Sequence, residues 1–179
     1  MVWRNSATVY GVTTRILHWT MMVLILAMLI LGTKIADMQP NLSNIYLYGV
    51  HKTFGFLVLS LTIIRIIWHR ISPPPPPIGD AKAFTNRLAR AVHMLIYLCL
   101  IAIPISGWIA SSATGLDVLL FDRIALPAIA PVSEAWEKNG FLAHGALTKA
   151  LMALLAAHIF GAMLRGVKQD GTIARMISG

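Results

Sequence analysis

Charge is what this 179-residue chain has least of. Asp and Glu number seven, Lys and Arg fifteen, and the four types together make up only 12% of the residues. A soluble domain typically carries about twice that share. Aromatic residues reach 8%, and cysteine occurs once, at Cys99. A single cysteine excludes an internal disulfide and every Cys-x-x-Cys motif. Its position inside an apolar stretch makes it an ordinary packing residue, since a buried thiol behaves as a small hydrophobe. What fills the chain instead is hydrocarbon: 57% of the residues are hydrophobic and the mean hydropathy is +0.71.

A hydrocarbon layer about 30 Å thick needs about 20 mainly apolar residues per spanning helix. Four stretches meet this, at 16–35, 49–69, 91–112 and 142–165, and none contains Asp or Glu. The expectation is an all-α membrane four-helix bundle forming one integral membrane domain over 1–179, too small to include a separate soluble domain. The polar start, 1–10, followed by a run long enough to span, reads as a permanent first helix and not as a cleaved signal. Five consecutive prolines, 73–77, exclude helix and predict a stiff polyproline spacer. The basic segment 82–90 reads as amphipathic and at headgroup level, facing membrane lipid. Pro104 and Gly107 predict a kink or loosened backbone in the third helix. The link 114–140 mixes acidic residues with Leu119, Leu120, Phe121, Leu126 and Trp136, which predicts a segment in the interface or folded over the bundle mouth as a lid.

The formal charge of +8 does not point to nucleic acid, because of where the cations lie. Arg4, Arg15, Arg65, Arg70, Lys82, Arg87, Arg90, Arg165, Lys168 and Arg175 fall at one end of the bundle, opposed only by Asp80 and Asp170. At the other end Lys34, Lys52, Arg123, Lys138 and Lys149 are matched by Asp37, Asp117, Asp122, Glu134 and Glu137. The positive-inside rule makes the first end cytoplasmic, with both termini inside.

Six histidines stand in this apolar background, and a histidine within a spanning segment is a functional hypothesis by default. His144 and His158 lie fourteen residues apart in one segment, close to four helical turns, so both leave from nearly one face about 21 Å apart. Two centres, metal or haem, are expected near the two sides of the membrane. Pairing by depth gives an outer couple, His51 with His144, and an inner couple, His18 with His158. Each couple offers two axial imidazoles to one iron, which closes its coordination and favours electron transfer. Any haem is non-covalent, since the Cys-x-x-Cys-His attachment motif is absent. His93, at the inner level, is open as a replacement for His18, a donor to a propionate or a proton carrier. His69, beside Arg70, reads as a solvated interface residue.

The spacing of fourteen recurs from His18 to Gly32, from His93 to Gly107 and from His51 to Arg65. Glycine lets a backbone approach a flat macrocycle closely, and Gly55 and Gly161 lie one turn from proposed ligands; glycine equally serves helix packing in membranes. Arg65 and Arg15 have two readings each: pairing with a haem propionate or other anion, or snorkelling to headgroups.

The motifs Leu-His-Trp at 17–19, His-Lys-Thr-Phe-Gly at 51–55, Arg-x-x-Trp-His-Arg at 65–70 followed by the proline run, and the His-x13-His helix leading into Lys-Gln-Asp-Gly-Thr-Ile-Ala-Arg-Met at 168–176 occur in that order. Together they resemble the bacterial cytochrome b561 family over nearly the whole chain. The resemblance implies a four-helix protein of the bacterial cytoplasmic membrane with two b-type haems stacked across the bilayer, their ligands His18, His51, His144 and His158. It further implies an oxidoreductase of the superoxide oxidase type, passing electrons from superoxide to ubiquinone. Lys52 and Lys149 are then candidates to attract superoxide outside, and Arg15, Arg65, Arg165 and Lys168, with His93, to hold a quinone head group or supply protons inside. The runner-up is a dihaem membrane anchor relaying electrons for a partner dehydrogenase; subunits of that kind are commonly longer. A transporter using the histidines as stepping sites would need acidic residues within the spans, and there are none.

Overall fold

Lipid offers no hydrogen bonds, so an apolar stretch satisfies its own backbone as helix. In a computed structural model, which describes residues 2–178, the chain forms helices α1 (Val12–Ala36), α2 (Tyr46–Ile71) and α3 (Phe84–Ala113), strands β1 (Val118–Leu120) and β2 (Ile124–Leu126), helix α4 (Glu134–Val167) and a short helix α5 (Thr172–Ile177). The four long helices are apolar and long enough to cross a membrane, and they form a bundle. α1 packs on α2, α2 on α3, and α3 most extensively on α4. That last seam is close because Gly140 has no side chain: a Cβ there would come within 2.8 Å of the Ala110 Cβ, the small-on-small packing that holds helices together in lipid.

At mid-height Met21, Ile25, Val58, Cys99, Leu100 and Leu151 form the buried apolar layer, one or more from each long helix. Leu151 lies midway between His144 and His158 in sequence, so this layer separates the two histidine levels.

The cation-rich end is closed by a polar clasp. Asn5 donates its backbone N–H to Ser72 Oγ (2.8 Å) and its side-chain amide to the Ser72 carbonyl (2.7 Å). Its Oδ1 accepts from the Gly11 N–H and the Thr14 hydroxyl, both at 2.8 Å, anchoring the start of α1. Trp68 of α2 donates to the same Thr14 hydroxyl at 2.8 Å. The prolines following Ser72 form no regular element and are tied down rather than free, Arg175 donating to the Pro76 carbonyl at 3.1 Å. Asn86, 4% exposed, donates to the carbonyls of Ile78 and Asp80 and accepts from Arg165. α5 lies against α1, its last carbonyls accepting from Trp19 Nε1 (3.1 Å, Met176) and Arg15 (3.0 Å, Ile177).

At the opposite end β1 and β2 form an antiparallel hairpin in which Leu120 pairs with Ile124. Of the segment 114–140, expected as an interfacial run or lid, residues 118–126 form a strand pair packed on α2 and 134–140 begin α4. Helix α3 continues through Pro104.

Candidate functional site

Helical phase decides which polar side chains of an apolar bundle meet. His144 of α4 and His51 of α2 face each other at the hairpin end, ring centroids 6.1 Å apart. His158 of α4 and His18 of α1 face each other at the cation-rich end, 6.2 Å apart. Two imidazoles bonded end-on to one metal through nitrogens at about 2 Å would have centroids about 6 Å apart. Both couples therefore have the separation that a shared ion between them requires. Among the described residues no three His, Cys, Asp or Glu side chains converge as a metal site of their own. The arrangement suits a centre whose other ligands come from a macrocycle.

Two glycines make room for the rings of the outer couple. A Cβ on Gly32 would stand 3.1 Å from His51 Cε1, and one on Gly107 3.0 Å from His144 Nδ1, so each imidazole lies directly on bare helix backbone. His144 Nδ1 donates to the Ile103 carbonyl at 2.9 Å, the residue before Pro104. Because a carbonyl only accepts, the proton sits on Nδ1 and the Nε2 lone pair is left for a metal, the usual outer hydrogen bond of a ligating histidine. His51 Nδ1 is buried without a partner.

The inner level is more crowded. His93 of α3 lies 4.9 Å from His158, closer than His18 does. Its Nδ1 donates to the Ala89 carbonyl at 2.6 Å, again leaving Nε2 unprotonated. Arg65 NH2 stands 3.1 Å from His18 Nδ1. An Arg only donates, so in this arrangement His18 carries its proton on Nε2, the nitrogen that ligation would use. Both couples have the spacing for an iron, and in the outer one His144 also has its ligating tautomer fixed; the inner fit needs Arg65 to turn from His18 to another acceptor, such as a carboxylate.

Arg65 faces the bundle interior, over the ring of Tyr97 at 5.8 Å, with its Nε buried and unpartnered. That excludes the snorkelling reading here. His69, one turn further on α2, corrects the expectation of a solvated residue: its Nε2 is buried without a partner and its ring lies 6.4 Å from Tyr97. The i, i+4 spacing from Arg65 carries it inward, whereas the adjacent Arg70 drew the sequence reading outward. Tyr97, whose hydroxyl is also buried and unpartnered, was missed because a lone tyrosine in an apolar run carries no pattern. Its place four residues after His93 was the available signal.

The remaining candidates separate. Lys52 lies half-buried beside His51, and no carboxylate lies within ion-pairing distance of it among the described residues. Arg165 is occupied by Asn86, by Asp170 at 3.3 Å and by the Thr172 hydroxyl at 3.4 Å. It holds the clasp together and is not directed at the histidines' open nitrogens. Arg15 donates to α5, its Nε buried without a partner. A Cβ on Gly161 would meet nothing within 4 Å, and one on Gly55 only the Met28 methyl at 3.8 Å, so both stand beside open or loosely filled space.

A membrane four-helix bundle with histidine couples at two depths defines a membrane cytochrome b. The model of the prokaryotic cytochrome b561 family matches residues 9–179, and the chain belongs to that family. It is 30% identical over 185 residues to cytochrome b561 homolog 2 of Escherichia coli (strain K12), covering 99% of this chain and 95% of the relative. Cytochrome b561 homolog 1 of the same strain is 29% identical, over 90% of this chain and 92% of the relative. A protein of Yersinia pestis named probable superoxide oxidase CybB is 24% identical over 90% of this chain and 91% of its own length. Membership makes this a bacterial membrane electron-transfer protein of a family that binds haem b.

Proposed function

We propose that the protein is a superoxide:ubiquinone oxidoreductase that holds two haem b groups, one between His51 and His144 and the other between His18 and His158. The observation that carries the reading is the pair of imidazole couples, 6.1 and 6.2 Å apart, set four helical turns from one another along α4. A haem b held by two histidines would supply one-electron transfer and not ligand chemistry at iron. The balance is two superoxide anions giving two O2 and two electrons, with ubiquinone taking two electrons and two protons to become ubiquinol.

The chain's own groups divide this work by depth. Lys52, beside an outer ligand and without a carboxylate partner, attracts the anionic donor. Arg65 faces the inner couple and meets either a propionate or the quinone head group, and Arg15 and Arg165 keep the inner end cationic while clasping it shut. Gly55 and Gly161 leave the space beside the couples that a porphyrin occupies. The excess of cations supports a cytoplasmic position for the clasp and both termini, and residues 1–179 are read as a single membrane domain. The name of the Yersinia pestis relative supports superoxide as donor. The match over 91% of that relative's length supports a stand-alone enzyme over an anchor for a dehydrogenase.

The test is to mix purified protein with superoxide and follow the haem bands, then add ubiquinone. Rapid reduction and quinone-dependent reoxidation are expected, with two haems per chain. His144→Ala and His158→Ala should each remove one haem equivalent. No reduction by superoxide, together with a dehydrogenase co-purifying in stoichiometric amount, would establish the relay instead.

A further inference from the structure

The first turns of α1 leave one face uncovered. Val12, Arg15, Ile16, Trp19 and Thr20 recur at i, i+3, i+4, i+7 and i+8, the spacing of a single helical stripe. Ile177 of α5 lies alongside, and these six residues line an open groove of about 350 Å³, within the range of sites that hold small molecules. Ile16 is 56% and Ile177 62% exposed, so the groove opens on the surroundings of the bundle.

Its polarity is graded along the helix. Arg15 stands at the cation-rich end, and Ile16, Trp19 and Thr20 follow over about 7.5 Å toward the buried layer at Met21 and Ile25. One nitrogen of the guanidinium donates to the Ile177 carbonyl at 3.0 Å, while Trp19 Nε1 donates to the Met176 carbonyl at 3.1 Å. Arginine has five donors, and no carboxylate lies within ion-pairing distance of Arg15 among the described residues. Capping the α5 carbonyls needs only a donor, as neutral Trp19 shows. The full charge of Arg15 beside a hydrocarbon wall is not accounted for by that role. A cation at the head of an apolar groove, on a face turned to lipid, is the complement of an amphiphile with an anionic head.

We propose that this groove binds one anionic phospholipid, its phosphate on Arg15 and an acyl chain along Ile16, Trp19 and Thr20, and that the bound lipid fixes α5 against α1. A phosphate accepts two parallel N–H groups from a guanidinium. The same guanidinium holds Ile177, so head group, α1 and α5 meet at one side chain. A free phosphate would gain only a surface ion pair, which contributes little, and a neutral lipid would leave the charge unmet. The attraction of one basic side chain for anionic lipid corresponds to about a fivefold preference. The site stands apart from the electron donor and acceptor proposed above.

The experiment uses the haem-loaded full chain in neutral detergent and counts retained lipid by native mass spectrometry, with phosphatidylglycerol and phosphatidylcholine of the same acyl chains present in equal amounts. The unmodified protein should retain one phosphatidylglycerol per chain, with about a fivefold preference over phosphatidylcholine. Arg15→Gln should bring that preference to about one, and Arg15→Lys should keep part of it. Arg87→Gln, which removes an exposed cation near the same end, should leave it unchanged. Thr20→Trp fills the groove, keeps the Arg15 charge and should also lose the lipid. Saturating phosphatidylglycerol should slow proteolysis of α5 in the unmodified protein but not in Thr20→Trp, a difference that an Arg15 acting only as a cap would not produce. Equal retention of the two lipids by the unmodified protein overturns the proposal. So does a loss in Arg87→Gln as large as in Arg15→Gln, retention unaffected by Thr20→Trp, or displacement of the lipid by millimolar inorganic phosphate, which would mark a site for free anions.

Discussion

Gly107 touches the chemistry through a missing atom. A methyl group there would press on His144 Nδ1 at 3.0 Å, at the nitrogen that donates to Ile103. Gly107→Ala must therefore push the ring off its carbonyl partner, although alanine is the better helix former by about 1 kcal/mol. The expected outcome is a protein that inserts normally but retains one haem per chain instead of two, read from the pyridine haemochrome. Asn86 works the other way, by what it holds. It ties two carbonyls of the proline loop and the Arg165 guanidinium from a position 4% exposed. Removing one partner from a buried network leaves the others unsatisfied at about 1–3 kcal/mol each. Asn86→Ala should lower the thermal midpoint of the haem-loaded protein by several degrees without moving its haem bands.

Among the elements, hydropathy revealed the parts of helices that lie in lipid and nothing more. α3 begins seven residues before its apolar stretch and α4 eight before, because the polar residues Asn86, Arg87, Arg90, Glu134, Glu137 and Lys138 end the hydropathy signal without ending the helix. The histidine couples were legible because four turns of helix return a side chain to the same face; the closeness of His93 to His158 and the inward turn of His69 were not, since they depend on how α3 rotates against α2 and α4. The hairpin was illegible for a sharper reason: three-residue strands joined by Phe-Asp-Arg carry no turn signal. Phe121→Asn should relax that tip, as Phe121 lies at φ 52°, Asn tolerates left-handed backbone and the Phe side chain is 67% exposed. Slower hydrogen exchange at 118–126 is the expected result. The α4–α5 turn carries the pH dependence. Slight burial pulls the Asp170 carboxyl upward, but the N–H and hydroxyl of Thr172 and the Arg165 guanidinium outweigh it and hold it below its ordinary value. A carboxylate whose folded value is depressed adds stability above the unfolded value of about 3.9 and loses it as pH falls through the folded one. Protease protection of α5 should thus be constant down to about pH 4, then fall below it, and Asp170→Asn should flatten that drop.

At the scale of the whole molecule, α1 and α4 are held together in an unusual way. α1 leans on α2 and α4 on α3, while α4 buries only Gly140 and Leu151 along its 34 residues, so the two face each other mainly through His18 and His158 and through the mid-height layer. Helices in lipid have no hydrophobic drive toward one another and rely on packing and polar bridges. A group bound between the couples would supply what the side chains do not, and a ligand that binds only the folded bundle stabilises it by mass action, about 2.7 kcal/mol at one hundred times its dissociation constant. Cys99 reports on this directly, since it sits in the layer to which all four long helices contribute and is the chain's sole thiol. With haem bound, a membrane-permeant maleimide should label it slowly. After haem extraction, labelling should accelerate at least tenfold as α1 and α4 separate, and return to the slow rate when haem is added back. The α3–α4 seam at Gly140 and Ala110 should stay protected from exchange throughout, because its packing does not involve the couples.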